Sequence, residues 1–169
     1  ALPGSAYIYQ GEELGLAEVD LPDEALRDPM WERSGHTRRG RDGSRVPLPW
    51  SGALSGYGFT AGTPWLPQPA DWTAVSVAAQ SGQSSSTLEL YRRALRIRRA
   101  RLASGSDSLR WLPSPADVLV FSRDPGFTCA INLGAEPVPL PSFGELLCSS
   151  SPIDGASLPP ATAAWWAAA

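Results

Sequence analysis

Arg41-Asp42-Gly43-Ser44-Arg45-Val46-Pro47-Leu48-Pro49-Trp50 brings two guanidinium groups, a carboxylate, a glycine, two prolines and an indole into one short run. A solvated linker has no use for that mixture. Asp42 can accept a bidentate pair from Arg41 or Arg45, Gly43 permits a positive φ between them, and Pro47 and Pro49 stiffen the segment that presents Trp50. The stretch reads as a shaped loop carrying a fixed guanidinium.

Upstream, residues 16–40 scatter charges such as Asp20, Asp23, Asp28, Arg33 and Arg39 with no sustained apolar period, which predicts a long, ordered polar loop with one or two helical turns. Loops of that length inside a domain are usually functional. The sole histidine, His36, has no acidic or cysteine partners at ligand spacing and reads as a hydrogen-bonding loop residue. Earlier still, Ser5 to Tyr9 follow Pro3-Gly4 as a short aromatic and β-branched run, the form of a buried parallel strand. Glu12 and Glu13 come where that strand ends and can hydrogen-bond neighbouring backbone.

Downstream, residues 43–75 are rich in Gly, Pro and Ser, with Trp50, Trp65 and Trp72 as apolar anchors. Aromatic faces stack on sugar rings, but a coil also needs large side chains to fix it, and packing is the reading we favour for each indole. Ser86-Thr-Leu-Glu89 is a capping box. After it, Leu88, Tyr91, Leu95 and Leu102 form one stripe of an amphipathic helix, with six arginines on the remaining faces and Gly105 as its stop. Beyond Gly105 the period drops to two. Short strands are predicted at Leu109–Leu112, Val118–Ser122, Phe127–Asn132, Glu136–Leu140, Gly144–Cys148 and Ala161–Trp165, separated by Pro113-Ser-Pro115, Asp124-Pro-Gly126 and Asp154-Gly155. Such spacing predicts an antiparallel sandwich, with Pro137 and Pro139 at an edge.

Composition narrows the functional classes. No run approaches the ~20 apolar residues of a membrane span. A net charge of −3, with arginines mixed among carboxylates, leaves no basic footprint for nucleic acid. All 14 basic residues are arginine, which fits coding bias better than a recognition surface. Cys129 and Cys148 lie in apolar stretches, so buried free thiols and a reducing cytoplasm are expected, with no metal site and no cofactor. The chain opens on Ala1, directly before an apolar strand, and the expectation is that more sequence precedes it.

The run from Arg41 to Trp50 resembles the Arg-Asp-x-x-Arg-x-Pro-Met-x-Trp signature of the α-glucosidase branch of glycoside hydrolase family 13. Leu2-Pro-Gly-Ser-Ala-Tyr7-Ile-Tyr9-Gln-Gly11-Glu-Glu-Leu-Gly15, then Pro64-Trp-Leu with Gln80, then Leu90-Tyr91-Arg92, resemble that family's segments in the same order. The resemblance implies an α+β chain. Residues 1–103 would be the last strand, long loop and last helix of a (β/α)8 TIM barrel, and residues 104–169 an antiparallel β-sandwich C-terminal domain.

It further implies a retaining α-glucosidase acting on maltose- and isomaltose-type oligosaccharides, whose catalytic carboxylates all precede Ala1. No catalytic residue is therefore assigned here, and the piece alone is expected to be inactive. Arg41 would help hold the non-reducing glucose, with Asp42 and Arg45 either supporting it or simply tying the loop down; tying down is the reading we favour for those two. Pro-Leu-Pro-Trp in place of Pro-Met-Gln-Trp points to a sub-branch. A glucosyl transferase or isomerase of the same family is the second reading, and a stand-alone sugar-binding module the third. Oligomeric state is not legible.

Overall fold

The computed structural model describes residues 1–102, 108–155 and 157–168. They divide into two compact units, Tyr7–Glu89 and Ala1–Ala6 with Leu90–Ala169. The expected helix stop at Gly105 lies outside the described residues.

The unit Tyr7–Glu89 is built from turns around an apolar cluster of Leu21, Leu26, Val46, Leu66 and Trp72. Its regular elements include 3-10 turns at Glu12–Leu14 and Asp42–Ser44 and the helices α1 (Pro29–Arg33) and α2 (Val77–Gln80). The loop from residue 16 to residue 40 carries the predicted helical turns, at Asp23–Ala25 and α1. The strand expected at residues 5–9 is not formed: Tyr7 is 92% exposed, and Ile8 and Tyr9 are 41% and 49% exposed. A parallel strand takes its ladder from neighbouring strands, and among the described residues Tyr7–Glu89 contains none. The glutamates behave as expected, Glu13 accepting the Gly11 amide at 2.9 Å and Glu12 the Tyr9 amide at 3.2 Å.

Buried Gln80 fastens this unit. Its Nε2 donates to the Leu14 and Val75 carbonyls at 2.9 and 3.1 Å, while its Oε1 accepts the Leu88 amide at 3.0 Å. Helix α3 (Thr87–Ile97) then starts with the first half of the expected capping box, the Glu89 amide on Ser86 Oγ at 3.2 Å, while the Ser86 amide donates to the Gln83 carbonyl at 2.9 Å. The Glu89 carboxylate takes the Gly82 amide at 2.9 Å, because the chain turns back at Gly82 with φ +80° and lays that amide over the helix start.

After Ile97 the helix loosens into a π turn, Arg98–Leu102. Leu88 and Leu102 are buried, but Leu95, expected on the same stripe, is 42% exposed. Arg98 donates through Nη1 to Leu2 O at 2.8 Å and through Nη2 to Gly4 O, and Arg123 donates to Ala1 O at 3.1 Å, so two guanidiniums hold the first residues in place.

The strands are β1 (Arg110–Trp111), β2 (Val118–Arg123), β3 (Phe127–Asn132), β4 (Val138–Pro139), β5 (Glu145–Ser149), β6 (Ser157–Leu158) and β7 (Thr162–Ala167). Six match the predicted runs; β6, two residues long, is too short to show a period. An antiparallel sheet is ordered β1-β2-β3-β7-β5, and β4 and β6 pair as a separate ribbon. Pro139 lies in that ribbon, an edge position as expected. One sheet face carries Val118, Val120, Ala130 and Ala164 against Leu158 of the ribbon; the other carries Phe121, Phe127 and Cys129 with Leu102.

The paired tryptophans of β7 follow from the pleat, since successive side chains leave a strand on opposite faces. Trp165 meets Phe127 edge-on at 5.5 Å, and Trp166 meets Phe143 at 5.3 Å. Both cysteines are buried and free. Each registers with Trp165 from opposite sides. Two strand spacings, roughly 9–10 Å, exceed the reach of a disulfide. Desolvation pushes the Cys129 thiol up to about 12, so it stays protonated and inert. Among the described residues no helix is long and apolar enough to cross a membrane.

Candidate functional site

The loop around Arg41 is held by two aspartates that brace each other. Asp42 is 1% exposed, and its Oδ2 accepts the Arg27 and Asp28 amides at 2.5 and 2.6 Å. Asp28 answers from the other side: Oδ1 caps α1 by accepting the Met30 amide at 2.9 Å, and Oδ2 accepts both the Arg41 amide at 3.1 Å and Arg45 Nη1 at 3.0 Å. Arg45 Nη1 also lies 3.8 Å from Asp42 Oδ1.

Two glycines make this approach possible. A Cβ on Gly40, which has φ +74°, would stand 2.5 Å from Asp28 Cβ. One on Gly43 would stand 2.4 Å from the Val19 carbonyl oxygen, whose own residue donates its amide to Gly43 O at 3.0 Å. Gly43 is thus required by close packing, and the positive φ anticipated there belongs to Gly40.

Of the three residues singled out in the sequence, the structure brings Asp42 and Arg45 together with Asp28. Arg41 is exposed, and among the described residues no ion pair involves it. Its backbone is fixed nonetheless, the amide on Asp28 and the carbonyl accepting Ser44 Oγ at 2.9 Å. Asp28 was missed as more than one charge among many. The available signal was Asp28-Pro29, an N-cap carboxylate followed by proline at the first helical position.

The Met30 amide, then the Arg41 amide, hold the Asp28 carboxyl below its usual range, against desolvation and helped by the Arg45 and Arg41 charges. A depressed folded pKa contributes stability that is whole above the unfolded value near ~4 and is lost as pH falls through the folded value. The Asp28 carboxyl carbon is expected to titrate by NMR with a midpoint below ~3.9. A midpoint at or above that value would contradict the clamp.

Pro47 and Pro49 are buried, and Trp50 N and Ser51 N both donate to Tyr57 O at 2.9 and 2.8 Å. This fixes the Trp50 backbone while its ring stays 51% exposed. Trp72 packs in the core as expected, but Trp50 and Trp65, 51% and 56% exposed, do not. The Trp50 backbone is held without its ring, the amide on Tyr57 O at 2.9 Å and the carbonyl accepting the Ala78 amide at 3.0 Å. His36 stacks on Trp31 with ring centres 4.7 Å apart and lies 3.3 Å from Glu32, a loop residue as predicted. Among the described residues no three His, Cys, Asp or Glu side chains gather as a metal site would require. Glu12, Glu13, Asp28 and Asp42 all accept backbone amides, which marks them as structural carboxylates.

Residues 1–105 match the family model described as "Alpha amylase, catalytic domain". The chain belongs to the alpha-amylase family. This alpha-amylase family chain is 37% identical over 139 residues to a probable alpha-glucosidase of Rhizobium meliloti (strain 1021), an alignment covering 80% of the chain and 25% of that protein. It superposes on the alpha-glucosyl transfer enzyme XgtA with a TM-score of 0.69 at 35% identity, covering 94% of the chain and 32% of XgtA. On a trehalulose synthase the TM-score is 0.74 at 26% identity, covering 97% of the chain and 36% of the synthase. The alpha-amylase family chain therefore spans about a quarter to a third of the length of these relatives.

Proposed function

We propose that this chain is the C-terminal part of a retaining α-glucosidase that hydrolyses maltose- and isomaltose-type oligosaccharides, with Arg41 helping to hold the non-reducing glucose. The likeness to the probable alpha-glucosidase of Rhizobium meliloti over 139 residues carries this reading. The exposed Arg41 side chain on a doubly fixed backbone supports its part in it. In this reading residues 1–103 complete a (β/α)8 barrel and residues 104–169 form its β-sandwich companion, the protein is cytoplasmic, and its substrate is a neutral α-glucoside. The free, inert thiols fit a reducing compartment.

A retaining glycosidase needs a nucleophilic carboxylate and an acid about 5–5.5 Å apart, and the carboxylates of the clamp are committed to backbone amides. The purified chain is accordingly expected to release no nitrophenol from an aryl α-glucoside, and turnover by it would refute the assignment. The full-length protein containing this segment is expected to release glucose from maltose or isomaltose; no release from either would refute it equally.

The similarity to XgtA and to a trehalulose synthase favours a second reading, transfer or isomerisation of glucosyl units. Products decide between them. Free glucose marks water as the acceptor, whereas new disaccharides mark a sugar.

A further inference from the structure

We propose that Asp28 is the positioning residue that aims Arg41 at the sugar, acting through the hydrogen bond its Oδ2 accepts from the Arg41 amide; this rests on the substrate role proposed above for Arg41. A side chain is aimed by the direction of its Cα–Cβ bond, which the two flanking peptide groups set. At Arg41 both are tied, the amide to Asp28 at 3.1 Å and the carbonyl to Ser44 Oγ at 2.9 Å. Arg41 itself has φ −122° and ψ 17°, outside the main helical and extended basins, so its conformation needs those partners to hold it.

Neither of the neighbours expected to brace the Arg41 guanidinium does so directly. Asp42 spends Oδ2 on the Arg27 and Asp28 amides, and Arg45 donates to Asp28. Asp42 fixes the Asp28 backbone, and Asp28 in turn fixes the Arg41 backbone. The order of support therefore runs from the buried aspartate to the half-buried one to the exposed arginine. Gly40 reinforces it, since its missing side chain lets the chain run directly against Asp28. The outcome is a cation with a set origin and an unencumbered end, the arrangement that lowers the ordering cost of binding a hydroxyl-rich ligand.

Asp28→Asn is the diagnostic change. It keeps one carbonyl oxygen for the Met30 cap and puts a donor where Oδ2 faced the Arg41 amide. In the 169-residue chain, exchange of the Arg41 amide is expected to quicken at least tenfold while that of Met30 holds. In the full-length enzyme, Asp28→Asn is expected to raise KM about tenfold with kcat within about twofold, the mark of lost uniform binding. Arg41→Ala should do the same, and the double variant should be no worse than Arg41→Ala alone.

Should Arg41→Ala leave KM unchanged, the substrate role of Arg41 falls, and with it this proposal. Should Arg41→Ala raise KM while Asp28→Asn alters only the melting temperature, or the two losses multiply independently, Asp28 is a structural brace only and the role of Arg41 stands.

Discussion

Phe127→Ala is expected to remove about 3–5 kcal/mol from the stability of the β-rich unit, the usual cost of emptying a phenylalanine site in a packed core. Phe127 is 2% exposed and lies beside Phe121 and Cys129, with Trp165 edge-on at 5.5 Å. Those neighbours are themselves packed in the same cluster, so the cost follows the volume of the gap they leave unfilled after relaxing. Trp165 would lose its aromatic partner at the same time, a further ~0.5–1.5 kcal/mol. Urea unfolding followed by tryptophan fluorescence measures the loss. Phe127→Leu is the control, expected to cost much less because most of the volume stays filled. A loss below ~1 kcal/mol for Phe127→Ala, no more than an average point change, would show that this face of the sheet is not tightly packed.

Asp42→Ala is expected to cost about 2–4 kcal/mol in the unit Tyr7–Glu89, because it strands the Arg27 and Asp28 amides at ~1–3 kcal/mol each. Relief from burying a carboxylate offsets part of this, which keeps the total below the simple sum. Asp42→Asn should cost less, since one oxygen can still accept. The amides of Arg27 and Asp28 should exchange faster in Asp42→Ala than in wild type, and Arg41 should follow as Asp28 loses its fixed place. A cost below ~0.5 kcal/mol, the level of an ordinary surface change, would remove Asp42 from the structural account of the loop.

Much of the β-rich unit was legible in advance because a strand's period is local. Val118 to Ser122 and Phe127 to Asn132 are short runs rich in β-branched and aromatic residues, and Asp124-Pro-Gly126 marks the turn between them, so the hairpin of β2 and β3 needed no tertiary knowledge. The seven-residue tail was harder. Ala163-Ala-Trp-Trp-Ala-Ala-Ala has no polar alternation, because β7 lies between β3 and β5 with an indole filling each face. A strand covered on both sides has no polar face to show.

The loop divides differently. That Arg41 to Trp50 is shaped rather than slack follows from its residue types, and its likeness to a family signature agrees with the alpha-amylase match over residues 1–105. Which group holds which was beyond the sequence. Asp42 stood next to Arg41 and invited a pairing between neighbours, whereas the bonds formed run from Asp42 to Asp28 and from Asp28 back to Arg41 across 14 and 13 positions.

By itself the sequence determined the family, the hairpins, the start of the long helix and the location of the shaped loop, all of which rest on contacts between near neighbours. Only the tertiary structure decided that Tyr7 to Tyr9 are exposed coil, that Gly40 rather than Gly43 takes the positive φ, and that Asp28 is the joint between a buried carboxylate and an exposed arginine. Each of those depends on what lies across from a residue, and a backbone amide or a neighbouring strand leaves no mark in the identity of the residue it will meet.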